Sequence, residues 1–462
     1  MIVPATAYSR PVDDIRALLA RAAELAADHR ESLADRPVAR AADPHVLRAG
    51  FGGPLPEAPS PPSEVLEELA RAAEPGLVAT AGPRFFGFVV GGALPAATAA
   101  DVLAAGWDQN GFNAVLSPAA AAAEDVAGAW LKELLGLPAT ASAGFVTGGQ
   151  SANTTGLAAA RHHVLAEAGW DVERDGLTGA PRVRVVASEE RHATIDRSLR
   201  LLGFGTRAVE PVAAGPQGAI DVADLERVLA AGSGPAIVCL QAGNVNTGAC
   251  DDLRAAREAA GDAWLHVDGA FGLWAAANPA TAALLDGVEL ADSWACDGHK
   301  WLNVPYDSGF VFCARPDVHA AAIAYRAAYL TGAGEVSGMG DLTLESSRRA
   351  RGFAVWAALR ELGRDGVAEL VDRCCRLARR FAKALADGGA EIGNDVVLNQ
   401  VLVSFGDDTD ALTRKVQDDG TCWLGGTTWR GRRYLRISVS GWTTTEADVD
   451  RSAAAILRLA GQ

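Results

Sequence analysis

Between about residues 143 and 315 the chain alternates short β-branched runs with helical stretches, and this alternation constrains the fold more than any other feature. GFVT (144–147) is followed by a helical stretch over 152–166. Then come VRVVAS (183–188), AIVCLQA (236–242), WLHVDGA (264–270), SWAC (293–296) and GFVFCA (309–314). Strand-like runs separated by helices predict an α/β fold with a mainly parallel sheet covered on both faces. Such sheets collect ligands at the loops beyond their strand C-termini.

The flanks read differently. Ile15, Leu18, Leu19, Ala22 and Leu25 recur at helical spacing before the proline-rich PLPEAPSPPSE at 54–64, which predicts an N-terminal helical arm over residues 1–75. Ser117 as N-cap and Pro118 at the first helical position open a helix running to about 136. The large domain is expected over 76–345. Beyond it, helical ESSRRARGFAVWAALRELG (345–363), a second helix near 365–387 and strands at 396–405 and 434–440 predict a small C-terminal α+β domain, 346–462.

A net charge of -15 argues against nucleic acid or an anionic membrane as partner. The seven cysteines are odd in number, scattered and without a CxxC, so reduced thiols are expected. The N-terminus lacks a secretory pattern and no apolar run reaches membrane-spanning length, which predicts a cytoplasmic protein. No metal site is suggested, since His162 and His163 are adjacent and diverge on a helix.

Four segments carry chemistry. Lys300, in His299-Lys300, follows a strand and can form a Schiff base with an aldehyde cofactor when its amine is freed by desolvation. Alone, it reads as an ordinary surface lysine. Asp268, in LHVDGAFG, falls where the strand pattern buries a carboxylate, so it needs a cationic or donor partner, which a pyridinium N–H would supply. The bland alternative is a loop cap. Ala270 could lay its methyl against one face of a flat ring. VTGGQSANTTG (146–156) opens a helix, and Gly148, Gly149, Gln150 and Ser151 are candidate phosphate contacts there. His192, just past VRVVAS, is placed to stack on a cofactor ring. These features lie in order at successive strand ends.

Taken with PRFFGF (83–88), EERHATID (189–196), NVNTGACDDL (244–253), DSWACDGHKWLNVPYDSGF (292–310) and SRRARGFAVWAALRELG (347–363), the chain resembles the group II pyridoxal-phosphate (PLP) dependent decarboxylases of fold type I. The resemblance spans about residues 75–445. It implies a seven-stranded large domain, PLP as cofactor, and decarboxylation of an L-amino acid to an amine. It also implies a homodimer with active sites at the interface. Position by position, it implies Lys300 as Schiff-base lysine, Asp268 opposite the ring nitrogen and His192 on the ring. Gly149, Gln150 and His299 would lie near the phosphate, Asn246 and Thr247 near the ring. Phe86 and Phe88 would line the substrate pocket, Trp301 would pack beside the lysine, and Phe112 is a further candidate for an apolar wall. Arg436 stands where a carboxylate-binding arginine would lie, or else in a structural ion pair; Arg348 and Arg349 are open between the site entrance and structure.

One departure matters. The segment 330–347 contains no tyrosine, with Tyr329 at its start, whereas family members often use a tyrosine on this loop for proton return. Its glycines suit a mobile lid. Aldehyde synthesis, aldol-type chemistry and transamination therefore stay open beside decarboxylation, as does a non-catalytic PLP-binding homodimer.

Overall fold

A computed structural model describes residues 14–39, 42–325 and 338–461. Tyr329 and residues 330–337 of the tyrosine-free segment lie outside the described residues. The large sheet comprises β1 (Ser142–Val146), β2 (Arg184–Ser188), β3 (Val209–Val212), β4 (Ala236–Gln241), β5 (Trp264–Asp268), β6 (Ser293–Asp297) and β7 (Gly309–Cys313). Its order is β1-β7-β6-β5-β4-β2-β3, and β7 runs antiparallel to both neighbours while the remaining pairs are parallel. Every residue of β2, β5, β6 and β7 is buried, as expected where helices cover both faces. One of those helices, Gly149–Glu167, starts directly after β1 and packs across β5, β6 and β7.

A second sheet holds β8 (Glu391–Ile392), β9 (Gln400–Ser404), β10 (Gly425–Trp429) and β11 (Arg432–Ser438) in the antiparallel order β10-β11-β9-β8. The helix leading to it, Gly352–Asp387, is one element kinked at Gly363, whose φ of 61° leaves the helical region. It begins seven residues later than the sequence suggests. Residues before it are held in an extended path because Arg348 is drawn inward, its guanidinium pairing with buried Glu124 and donating to the Phe145 carbonyl. Arg349 pairs with Asp101, so neither arginine belongs to the cavity described below.

Three helices, Ile15–Ser32, Pro44–Gly50 and Pro62–Ala73, precede the large sheet. The first buries no residue within the chain, and Ile15 and Leu19 are exposed. No helix among the described residues is long and apolar enough to cross a membrane.

Segment 83–92 couples the two sheets. Phe86 N–H donates to the Trp423 carbonyl and Ser438 N–H to the Phe86 carbonyl, while Gly91 lies so near the Lys300 carbonyl that a Cβ would sit 1.9 Å from it.

Candidate active site

The C-terminal ends of β4, β5 and β6, the start of helix Gly149–Glu167 and the edge of the second sheet enclose a cavity of about 300 Å³. Lys300 and Asp268 face it from the large sheet, His192 from the loop after β2, and Arg436 from β11. Strands that end together deliver their following residues to one rim, which is why positions far apart in sequence meet here.

Asp268 is buried and accepts hydrogen bonds from Asn153 Nδ2 (3.0 Å), Thr194 Oγ1 (3.4 Å) and its own loop at Ala270 N (3.2 Å). No cation lies within ion-pair distance among the described residues. A buried carboxylate faced only by neutral donors suits a protonated ring nitrogen.

The His192 side chain caps helix Ala193–Leu201, with Nδ1 accepting from Thr194 N–H and lying 2.8 Å from Thr194 Oγ1. Partial burial lowers the imidazole pKa, opposed by Asp268 and reinforced by Lys300. The lowering favours the neutral ring, which is suited to stacking.

Lys300 Nζ lies 2.9 Å from Asp297 Oδ2. Asp297, two per cent exposed, also accepts from Gly149 N–H through Oδ1 at 2.5 Å and lies 3.5 Å from His299 Nε2. The environment of the lysine is thus a carboxylate and not the apolar surround expected from the sequence, because β6 ends on an aspartate that caps the facing helix. His299 lies just behind, its Nδ1 accepting from Ser308 N–H and its ring against Tyr306; burial lowers its pKa, with Asp297 opposing.

The glycine turn is tight. A Cβ on Gly149 would fall 2.9 Å from Asp297 Oδ2 and 3.5 Å from the Ala270 methyl, and one on Gly148 would fall 2.9 Å from His299. Gly149 and Gln150 line the cavity, whereas Gly148 lies behind them. The Gln150 amide donates to Ser198 Oγ (2.9 Å). Ser151 is absent from the cavity lining.

Phe88 lines the cavity and Phe86 does not, which corrects the expectation that both form the pocket. Phe88 and Val89 adopt φ of 58° and 72°, a strained pair that turns Phe88 outward onto Trp423, 5.4 Å between ring centroids. Phe86 instead packs edge-on against Phe381 in the core. Three further expectations are corrected. Trp301 is buried in the core beside Phe271. Thr247 is fully buried and its hydroxyl donates to the Gln217 carbonyl, while Asn246 faces the cavity and accepts from Thr427 Oγ1. Phe112 packs beside Tyr325, away from the cavity. Arg436 has no carboxylate partner among the described residues; it donates to the Val245 carbonyl (3.2 Å), and burial lowers its pKa.

Asp297, Asn153, Phe271 and Thr427 were not singled out from the sequence. Asp297 lies within the quoted DGHK, three residues before the lysine, and Asn153 four residues past the glycine turn; spacing alone does not tell which side chain turns inward.

Fold and cavity together define a class: an α/β enzyme with a lysine, a buried carboxylate, a rim histidine and a tight glycine turn converging on one small pocket. These residues fit an aldehyde-bearing pyridine cofactor with a phosphate. The model of the pyridoxal-dependent decarboxylase conserved domain matches residues 44–405, and the chain belongs to that family. It is a PLP-dependent amino-acid decarboxylase by that membership. An aromatic-L-amino-acid decarboxylase from Bacillus atrophaeus is 28% identical, covering 94% of this chain and 93% of its own. A 4-hydroxyphenylacetaldehyde synthase from Rhodiola rosea is 27% identical, covering 91% and 89%. Among solved structures, the Oryza sativa TDC with PLP and tryptamine superposes with a TM-score of 0.90 at 25% identity, covering 98% of this chain and 99% of that one.

Proposed function

We propose that the enzyme decarboxylates an aromatic L-amino acid to the corresponding amine, with Lys300 carrying the cofactor. The observation that carries the substrate class is Phe88, held in a left-handed backbone and stacked on Trp423, which lines the same cavity as His192 and Arg436. The names of the similar aromatic amino-acid and tryptophan decarboxylases support this reading.

PLP, once bound, supplies a sink for the electron pair released as the bond from Cα to the carboxylate breaks. The chain's residues do the rest. The Lys300 amine would hold the cofactor. Asp268 would pair with the ring nitrogen and keep it protonated, and His192, Ala270 and Asn246 would lie against the ring. Gly149 and Gln150 would meet the phosphate, with Gly148 and His299 behind them. The unpaired Arg436 guanidinium orients the substrate α-carboxylate.

A second reading is decarboxylation-dependent aldehyde formation, favoured by the absence of tyrosine from 330–347 and by the similarity to aldehyde synthases. The enzyme acts as a homodimer, a reading supported by the exposed Val102, Leu103, Trp107, Val115 and Leu116 beside the large sheet. Seven unpaired cysteines support a reducing compartment, the cytoplasm.

The test is a panel of aromatic, acidic and aliphatic amino acids given to the PLP-loaded protein and to Lys300→Ala, following carbon dioxide, amine, aldehyde and oxygen uptake. Amine with carbon dioxide from aromatic substrates, lost in Lys300→Ala, is the expected result. Aldehyde with oxygen uptake selects the second reading, and turnover confined to acidic or aliphatic substrates overturns the aromatic one.

A further inference from the structure

Beneath Asp268 runs a chain of buried polar groups. Trp264 Nε1 donates to Ser293 Oγ (2.9 Å), which lies 2.9 Å from His266 Nδ1. On the other side of that ring, His266 Nε2 lies 2.9 Å from Asn153 Oδ1. Asn153 Nδ2 donates to Asp268 Oδ2 (3.0 Å) and to Thr194 Oγ1 (3.1 Å), and Thr194 Oγ1 in turn lies 2.8 Å from His192 Nδ1. Trp264, Ser293, His266 and Asn153 are all at most one per cent exposed.

The direction of each bond follows from its carboxylate end. A carboxylate only accepts, so the Asn153 NH2 faces Asp268 and its Oδ1 faces His266 Nε2, which leaves Nδ1 to accept from Ser293 Oγ while the indole donates to the Ser293 oxygen. The imidazole, whose pKa burial lowers to about 4, is neutral and so carries its single proton on Nε2. That proton requires the oxygen of the Asn153 amide, which turns the NH2 toward Asp268 and Thr194. A flipped amide would set its oxygen against the Asp268 carboxylate.

We propose that His266 is a positioning residue that, through the Asn153 amide, fixes the orientation of Asp268. The inference rests on the assignment of Asp268 to the cofactor. Gly156 is part of the same device: a Cβ there would meet the imidazole at 2.8 Å, so only glycine lets the ring lie flat between helix and strand.

The test compares His266→Phe, which keeps the ring volume without its polar atoms, with His266→Gln, whose amide nitrogen restores a donor near Nε2. Apo-protein is titrated with PLP, and the visible absorption of the lysine-bound cofactor is recorded across pH, with the thermal midpoint as a check on folding. His266→Phe is expected to weaken PLP binding about tenfold, the effect of disturbing a hydrogen bond to a charged group, and to alter the absorption spectrum. His266→Gln is expected to recover both. A folded His266→Phe with wild-type affinity and spectrum overturns the proposal. Should that variant not fold, Ser293→Ala, which frees Nδ1, decides: an unchanged spectrum and affinity overturns the proposal, an altered spectrum with weaker binding supports it. Absence of any Lys300-dependent band in the wild type would remove the cofactor assignment itself, a result distinct from a normal wild-type band that the variants leave untouched.

Discussion

Asp297 holds Lys300 Nζ and Gly149 N–H at the turn where a phosphate would be bound. A carboxylate beside a phosphate is a like charge, so Asp297→Asn is expected to tighten PLP binding about tenfold, or about 1.4 kcal/mol. Titration of apo-protein with PLP measures this, and weaker binding would mean that the carboxylate serves the cofactor by holding the lysine. Buried ionisable groups also shape the pH dependence of stability. His266 and His319 are lowered from 6.5 to about 4 by burial, so the stability they contribute is whole above about 6.5 and lost as pH falls toward 4. Asp251 is raised by burial from 3.8 to about 6, although Gln241 and Ile220 N–H groups donate to it. Its contribution is whole below 3.8 and lost as pH rises through 6. Near pH 5 these three groups together take up a net one proton on unfolding, two on the imidazoles less one from the carboxyl. Through them stability should rise by about 1.4 kcal/mol per pH unit there. Urea unfolding at pH 4.5, 5.0 and 5.5 checks the slope, and a falling trend would contradict the assignment.

At the scale of elements, segment 83–92 acts as a wedge. Its backbone bonds to Trp423 and Ser438, and Gly91 passes against the Lys300 carbonyl. Gly91→Ala would force its Cβ into that backbone and is expected to cost about 3 kcal/mol while weakening PLP binding, because the lysine would have to move. Gly53→Ala, with nothing within 4 Å, should leave both unchanged. Equal thermal midpoints and PLP affinities for the two variants would show that the wedge is not rigid. The strand and helix succession was readable because periodicity is local: Ser117 caps its helix as its type predicts, β2, β4, β5 and β7 fall within the runs that announced them, and β6 extends one residue past its own. The short β3 and β10 were missed, since VEPV and GGTTW carry a proline or glycines that read as turns.

Across the whole molecule, the helix Ile15–Ser32 has no buried residue, and apolar side chains stand exposed on helix Pro95–Trp107 and at 115–116. A second copy of the chain would cover them. Leu103→Asp combined with Leu116→Asp is expected to convert a dimer to a monomer in sedimentation and to remove most of the activity, since the family resemblance places the active sites at the interface. A monomeric variant with full activity would separate the site from the interface.

What the sequence by itself determined is most of the order of strands and helices, the family, and the identity of Lys300, Asp268, His192, Gly149 and Gln150 as residues of one pocket, because each stands at a strand end or turn marked by local chemistry. Tertiary structure decided which neighbour faces inward. Phe88 and not Phe86, and Asn246 and not Thr247, reach the cavity, through backbone angles and burial against distant residues such as Trp423, Phe381 and Gln217. Asp297 and the chain from Trp264 to Asp268 acquire their meaning only when three strands and a helix are brought side by side. The direction of a side chain is set by contacts across the fold, and no local pattern records it.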